Sequence, residues 1–98
     1  MPLYRVMIHG RNFRLKMDGK WGKFGFYTPR FAEASDAVLA KQAALEDFRH
    51  SAKYQELTER LLNADNDRPV LSGEEITEVT QTSAEQPAGL ALYQESDV

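Results

Sequence analysis

Seven residues have the types and spacing of a binding surface for single-stranded nucleic acid or a protein partner: Arg5, Arg14, Lys16, Lys20, Trp21, Lys23 and Tyr27. Cationic side chains neutralise phosphates, and exposed rings stack on bases, each stack being worth about 1–3 kcal/mol. Arg14 and Lys16 fall on one side of an alternating stretch, and Arg5 and His9 share a side of another. Trp21 lies in the adjoining turn, between Lys20 and Lys23. Phe24 and Phe26 share one face of their stretch and read as core, which leaves Tyr27 and Trp21 as the exposed stackers. The same pattern also describes a solvated or protein-covered sheet face, since basic faces without a motif are common.

Other chemistries find less to work with. Counted from Asn63, the residues Asp65, Asp67 and Glu74 fall at the third, fifth and twelfth positions of a calcium loop. The first position has asparagine for aspartate, the sixth has Arg68 for glycine, and a strand follows where a helix should. That reading gives way to a polar loop. His9 and His50 have no companion at ligand spacing, and zinc needs three or four ligands. His50 falls at a helix end, where a cation faces the negative end of the dipole. Ser35, Ser51 and Ser72 each have a cap or turn explanation. No catalytic set emerges, so the expected protein is not an enzyme and carries no cofactor.

Composition bounds the rest. The chain has 98 residues, 42% apolar and 28% charged, as in ordinary globular domains of this size. With no cysteine, it has neither disulfides nor thiolate chemistry. The opening Met-Pro-Leu-Tyr-Arg-Val lacks the pattern of a signal peptide, and no stretch approaches the roughly 20 apolar residues of a membrane span. A cytoplasmic location without membrane contact is expected. The net charge of −3 hides a division: residues 1–31 hold seven basic residues against Asp18, a balance of +6, and residues 32–98 hold five against fourteen acids, a balance of −9. Such a division predicts a basic and an acidic face.

The elements that position these residues follow from periodicity. Tyr4, Val6 and Ile8 alternate with Leu3, Arg5, Met7 and His9, the pattern of a strand with its first set buried. Gly10-Arg11-Asn12 reads as a turn. Phe13, Leu15 and Met17 alternate with Arg14, Lys16 and Asp18 in a second strand, and Asp18-Gly19 is a hairpin signal. Residues 23–34 read as a third strand, with Pro29 marking an edge or a bulge and Gly25 admitting a close neighbour. Ser35 or Asp36 caps a helix over 36–50 whose apolar side is Ala37, Val38, Ala40, Ala44, Leu45 and Phe48, with the stem of Lys41 lying along the sheet. His50-Ser51 is a break. Tyr54, Leu57, Thr58 and Leu61 have the spacing of a second helix. After a loop over 63–69, Val70-Leu71 and Ile76 to Thr80 form a strand. Leu90 to Tyr93 is either a short edge strand or a docking tail, with a frayed end over 95–98.

Asn12-Phe13, Gly25-Phe26-Tyr27-Thr28, Arg30-Phe31, Glu33-Ala34, Asn63 to Val70 and Gly89-Leu90-Ala91-Leu92-Tyr93 together resemble a family of small bacterial proteins of unknown function. The likeness spans most of the chain and implies no activity. In topology the strand order is similar to the antitoxin of the HicA–HicB pair, where three strands precede a helix and a fourth strand.

The expected fold is therefore α+β: a three-stranded antiparallel meander, two helices on one face, then a fourth strand and a short fifth if the tail pairs, in the order β-β-β-α-α-β. Residues 1–82 make the domain, and 83–98 a linker with an edge strand or tail. The other sheet face is wet or covered by a partner. The expected function is a non-catalytic protein-interaction module, a homodimer or bound to another protein. The alternative is a nucleic-acid-associated domain using the seven residues above.

Overall fold

Two long strands dominate the sheet because apolar alternation runs through most of residues 3–17 and 20–33, changing parity once, at Gly10 to Phe13. The computed structural model describes residues 1–17, 19–63, 66–79 and 91–97. In it, β1 (Leu3–Met17) and β2 (Lys20–Glu33) form one long hairpin, followed by α1 (Ala37–Arg49), α2 (Ala52–Thr58), β3 (Val70–Val79) and β4 (Ala91–Asp97). The fold is α+β with a four-stranded antiparallel sheet in the order β3-β1-β2-β4. The two late strands flank the early hairpin on opposite edges.

The element order is thus β-β-α-α-β-β, not three strands before the helices. The difference lies at Gly10-Arg11-Asn12, which is a bulge inside β1 and not a turn. The β1–β2 register steps from Gly10↔Phe26 to Phe13↔Phe24, and Asn12 has a left-handed backbone, φ 62°. Asparagine tolerates that region better than most residues. One extra residue on one strand switches the parity of the alternation. Tyr4, Val6 and Ile8 before the bulge therefore face the same way as Phe13 and Leu15 after it. Gly10 is required there, because a Cβ would sit 2.2 Å from the Phe26 ring.

Both helices pack on that face. Asp36 caps α1 by accepting from the Leu39 amide at 2.9 Å, and Ser51 caps α2 by accepting from the Tyr54 amide at 3.2 Å. The break at His50-Ser51 is real and separates the helices. Ala40, Ala44 and Phe48 of α1 and Leu57 of α2 close over Val6, Ile8, Phe13, Leu15 and Phe26. Val38, expected in the buried stripe, is 62% exposed, because at about 100° per residue it falls on the side of α1 opposite the buried Ala40. The stem of Lys41 lies against Gly73 of β3, as its place in the apolar stripe predicts. Phe13, Phe26, Phe48 and Tyr54 form a continuous run of ring contacts through the core.

The tail pairs within its own chain: Ala91 to Asp97 form β4 against Tyr27 to Gly22 of β2, and the strand includes Glu95 to Asp97, expected to fray, while Leu90 and Val98 lie outside the described residues. Pro29 lies in β2 opposite Met7, two residues past the last β2 position that β4 covers. A residue without an N–H fits such an edge position. No helix among the described residues is long and apolar enough to cross a membrane.

Candidate functional site on the helix-free face

Pleat alternation decides which side chains reach the face opposite the helices. The pairs Arg5↔Phe31, His9↔Tyr27, Arg14↔Lys23 and Lys16↔Trp21 all point there. Six of the seven candidate residues therefore share one face: Arg5, Arg14, Lys16, Trp21, Lys23 and Tyr27. Lys20 pairs with Met17 at the hairpin end and belongs to the other parity. The bulge makes this convergence possible, because without its extra residue Arg14 and Lys16 would point toward the helices.

Three zones lie along this face. At the end nearest the N-terminus, Leu3, Met7, Pro29 and Phe31 are half-buried on the side away from both helices. At the far end of the hairpin are Arg14, Lys16, Trp21 and Lys23. The Lys16 ammonium lies 5.5 Å from the centre of the Trp21 ring, and Trp21 is 50% exposed.

Between them is a cluster that periodicity did not single out. His9 is buried although no helix covers it. Its ring stacks on Tyr27 with centroids 4.2 Å apart and planes 9° from parallel. Its Nδ1 lies 3.1 Å from Glu74 Oε1 of β3, and its Nε2 bonds the Tyr93 hydroxyl of β4. Both ring nitrogens of His9 are thus engaged, one by a carboxylate and the other by a phenol. Tyr93 lies flat over Gly25, where a Cβ would meet its ring at 2.4 Å. Burial, then the charge of Glu95, pushes the Tyr93 hydroxyl above its ordinary pKa. It stays protonated at neutral pH, which suits a donor and not a nucleophile. The sequence signal for this cluster was the pairing of Arg5 and His9 on the wet side with Gly25 and Tyr27 on theirs. Glu74 and Tyr93, 65 and 84 residues away from His9, gave none.

A second network pins the bulge. Asn12 Nδ2 donates to Asp67 Oδ1 at 2.9 Å, Arg14 Nε donates to Asp67 Oδ2 at 2.9 Å, and Asn63 donates to the carbonyls of Asn12 and Asp67. Asn63 Oδ1 also accepts from the Arg14 amide, and the Leu62 amide donates to the Arg14 carbonyl. The loop thus replaces β3 as the partner of β1 beyond the bulge. The Asn12 hydrogen bond first, and then Arg14, holds the Asp67 carboxyl below its usual value. Asp67 is committed to Asn12 and Arg14 while Glu74 is committed to His9, so these two members of the calcium spacing serve different partners. Asp65 lies outside the described residues.

The remaining candidates have local roles. His50 ends α1, its Nδ1 2.9 Å from the Glu46 carbonyl. Ser51 caps α2, and Ser72 reaches the His9 carbonyl at 3.4 Å. Among the described residues no group of three or more His, Asp or Glu side chains is placed to hold a metal ion. No protein-family model, curated protein or solved structure matches this chain.

Proposed function

We propose that this protein is a small non-catalytic interaction module, and that its contact surface is the helix-free face at the N-terminal end of the hairpin. The observation that supports this is the placement of Leu3, Met7, Pro29 and Phe31 on a face that no described helix covers. Aromatic residues and methionine, with arginine near them, are the types enriched in protein interfaces. The partner is a second copy of the chain. Two such faces are self-complementary about a two-fold axis, the commonest symmetry of small oligomers, and stacked sheets pack about 10 Å apart.

Light scattering across a concentration series tests this. The wild-type chain is expected to be a dimer, and Met7→Arg, which places a charge on the wet side of β1 without touching the core, a folded monomer. A wild-type chain that stays monomeric at the highest concentrations would refute self-association.

A further inference from the structure

We propose that the far end of the hairpin binds single-stranded nucleic acid, with Lys16 and Lys23 taking phosphates and Trp21 taking a base. This site shares the sheet with the proposed dimer contact but none of its residues.

The charge arrangement comes first. Arg14 and Lys23 are direct cross-strand partners, and Lys16 lies one position along, opposite Trp21. Like charges directly opposite each other destabilise a sheet. Asp67 sits beside this pair, accepting from Arg14 and feeling the charge of Lys23. Among the described residues this one carboxylate faces both cations, a second, Glu95, accepts from the Asn12 amide, and the Lys16 ammonium lies over the indole. An incoming polyanion relieves this repulsion.

The rings decide which polyanion. Trp21 is 50% exposed, and with Arg14, Gly22 and Leu62 it lines a shallow concavity; Leu62 is itself 47% exposed. The concavity thus has two apolar walls and a cationic rim, a shape suited to a flat, unstacked base. Tyr27 offers a second exposed ring on the same face, held flat by its stack on His9. It lies six residues from Trp21, about 20 Å along an extended strand. Duplex bases keep their faces stacked and would leave both rings unused, whereas a single strand uses rings and cations together. An acidic peptide would use only the cations.

Trp21 is the sole tryptophan and reports on its own site. Its fluorescence is to be followed while the full-length protein is titrated with oligo-dT, oligo-U, a DNA duplex and polyglutamate over a salt series. Quenching by the single strands is expected. The slope of log affinity against log salt should be about −1.4, from two phosphate contacts at roughly 0.7 each. With labelled oligonucleotide and anisotropy, Trp21→Ala is expected to weaken binding about 5- to 150-fold. Lys16→Glu with Lys23→Glu should abolish binding while far-UV circular dichroism is unchanged. A flat titration at low salt, affinity indifferent to the lysine changes, or equal binding of duplex or polyglutamate would each overturn the proposal. Met7→Arg separates the two readings: it should remove the dimer and leave the fluorescence response in place.

Discussion

Asp67 shows how much one side chain outside the regular elements does here. It accepts from Asn12 and Arg14, and these bonds hold its carboxyl below its usual value. A carboxyl whose pKa is depressed in the folded state adds stability above its unfolded value and loses it as the pH falls through the folded one. The expected result is a wild-type melting temperature that falls as acid takes the pH from about 5 toward 2. In Asp67→Asn the melting temperature is lower at neutral pH and that part of the acid dependence is missing. Parallel acid dependences in the two proteins would show that Asp67 is not a source of it. His9 is a residue of another kind. Its three contacts, with Tyr27, Glu74 and Tyr93, tie β2, β3 and β4 to β1 on the side without helices. A buried histidine with both nitrogens engaged is a structural joint for the open face.

At the scale of the element, the bulge in β1 matters most. It allows a 15-residue strand to keep one apolar face although its sequence alternation changes parity midway. Asn12 supplies the left-handed residue and the side-chain link to the loop. Asn12→Gly keeps the backbone free but loses that link, at about 1 kcal/mol. Asn12→Ala loses the link and also strains the left-handed backbone, for a total of about 2 kcal/mol. Urea denaturation of the two variants checks the order, and equal losses would mean that the backbone conformation is not what the position requires. A glycine followed two residues later by an asparagine has the chemistry of both a turn and a bulge. Local sequence therefore does not distinguish three short strands from two long ones. The loop from Leu62 to Asp67, which bonds the backbone of Arg14 and the side chain of Asn12, makes that choice.

The whole molecule is a two-layer arrangement with unequal faces. The helical side is closed by ring contacts from Phe13 through Phe26 and Phe48 to Tyr54. Phe48 joins helix to sheet and is fully buried, with Arg30 5.3 Å from its ring centre. Phe48→Ala is expected to cost about 3–5 kcal/mol, enough to bring a small domain near its unfolding threshold. Chemical denaturation measures it; a loss under about 1 kcal/mol would mean that the ring is not the link between layers. The opposite side has no comparable closure among the described residues, only half-buried apolar groups, an aromatic cluster and a cationic end. This inequality is why both proposals for function concern that side.

The local pattern of the chain was enough for its α+β class, its two helices and most of the candidate surface, though not for the number and order of its strands. Alternation identified the buried sets in β1 and the co-facial placement of Arg14 with Lys16. Cap and break residues marked the helices at Asp36 and Ser51. Gly25 was recognisable as a point of close approach. These are properties of neighbours a few residues apart, and the geometry of strands and helices transmits them directly. What the tertiary structure alone decided is who meets whom across the sheet. It placed β3 and β4 on opposite edges, turned a supposed turn into a bulge, left Lys20 off the shared face, and enclosed His9 between Glu74 and Tyr93. Those partners are 65 and 84 residues away from it. Contacts of that separation form when the sheet order brings distant segments together, and no short-range period in the sequence encodes that order.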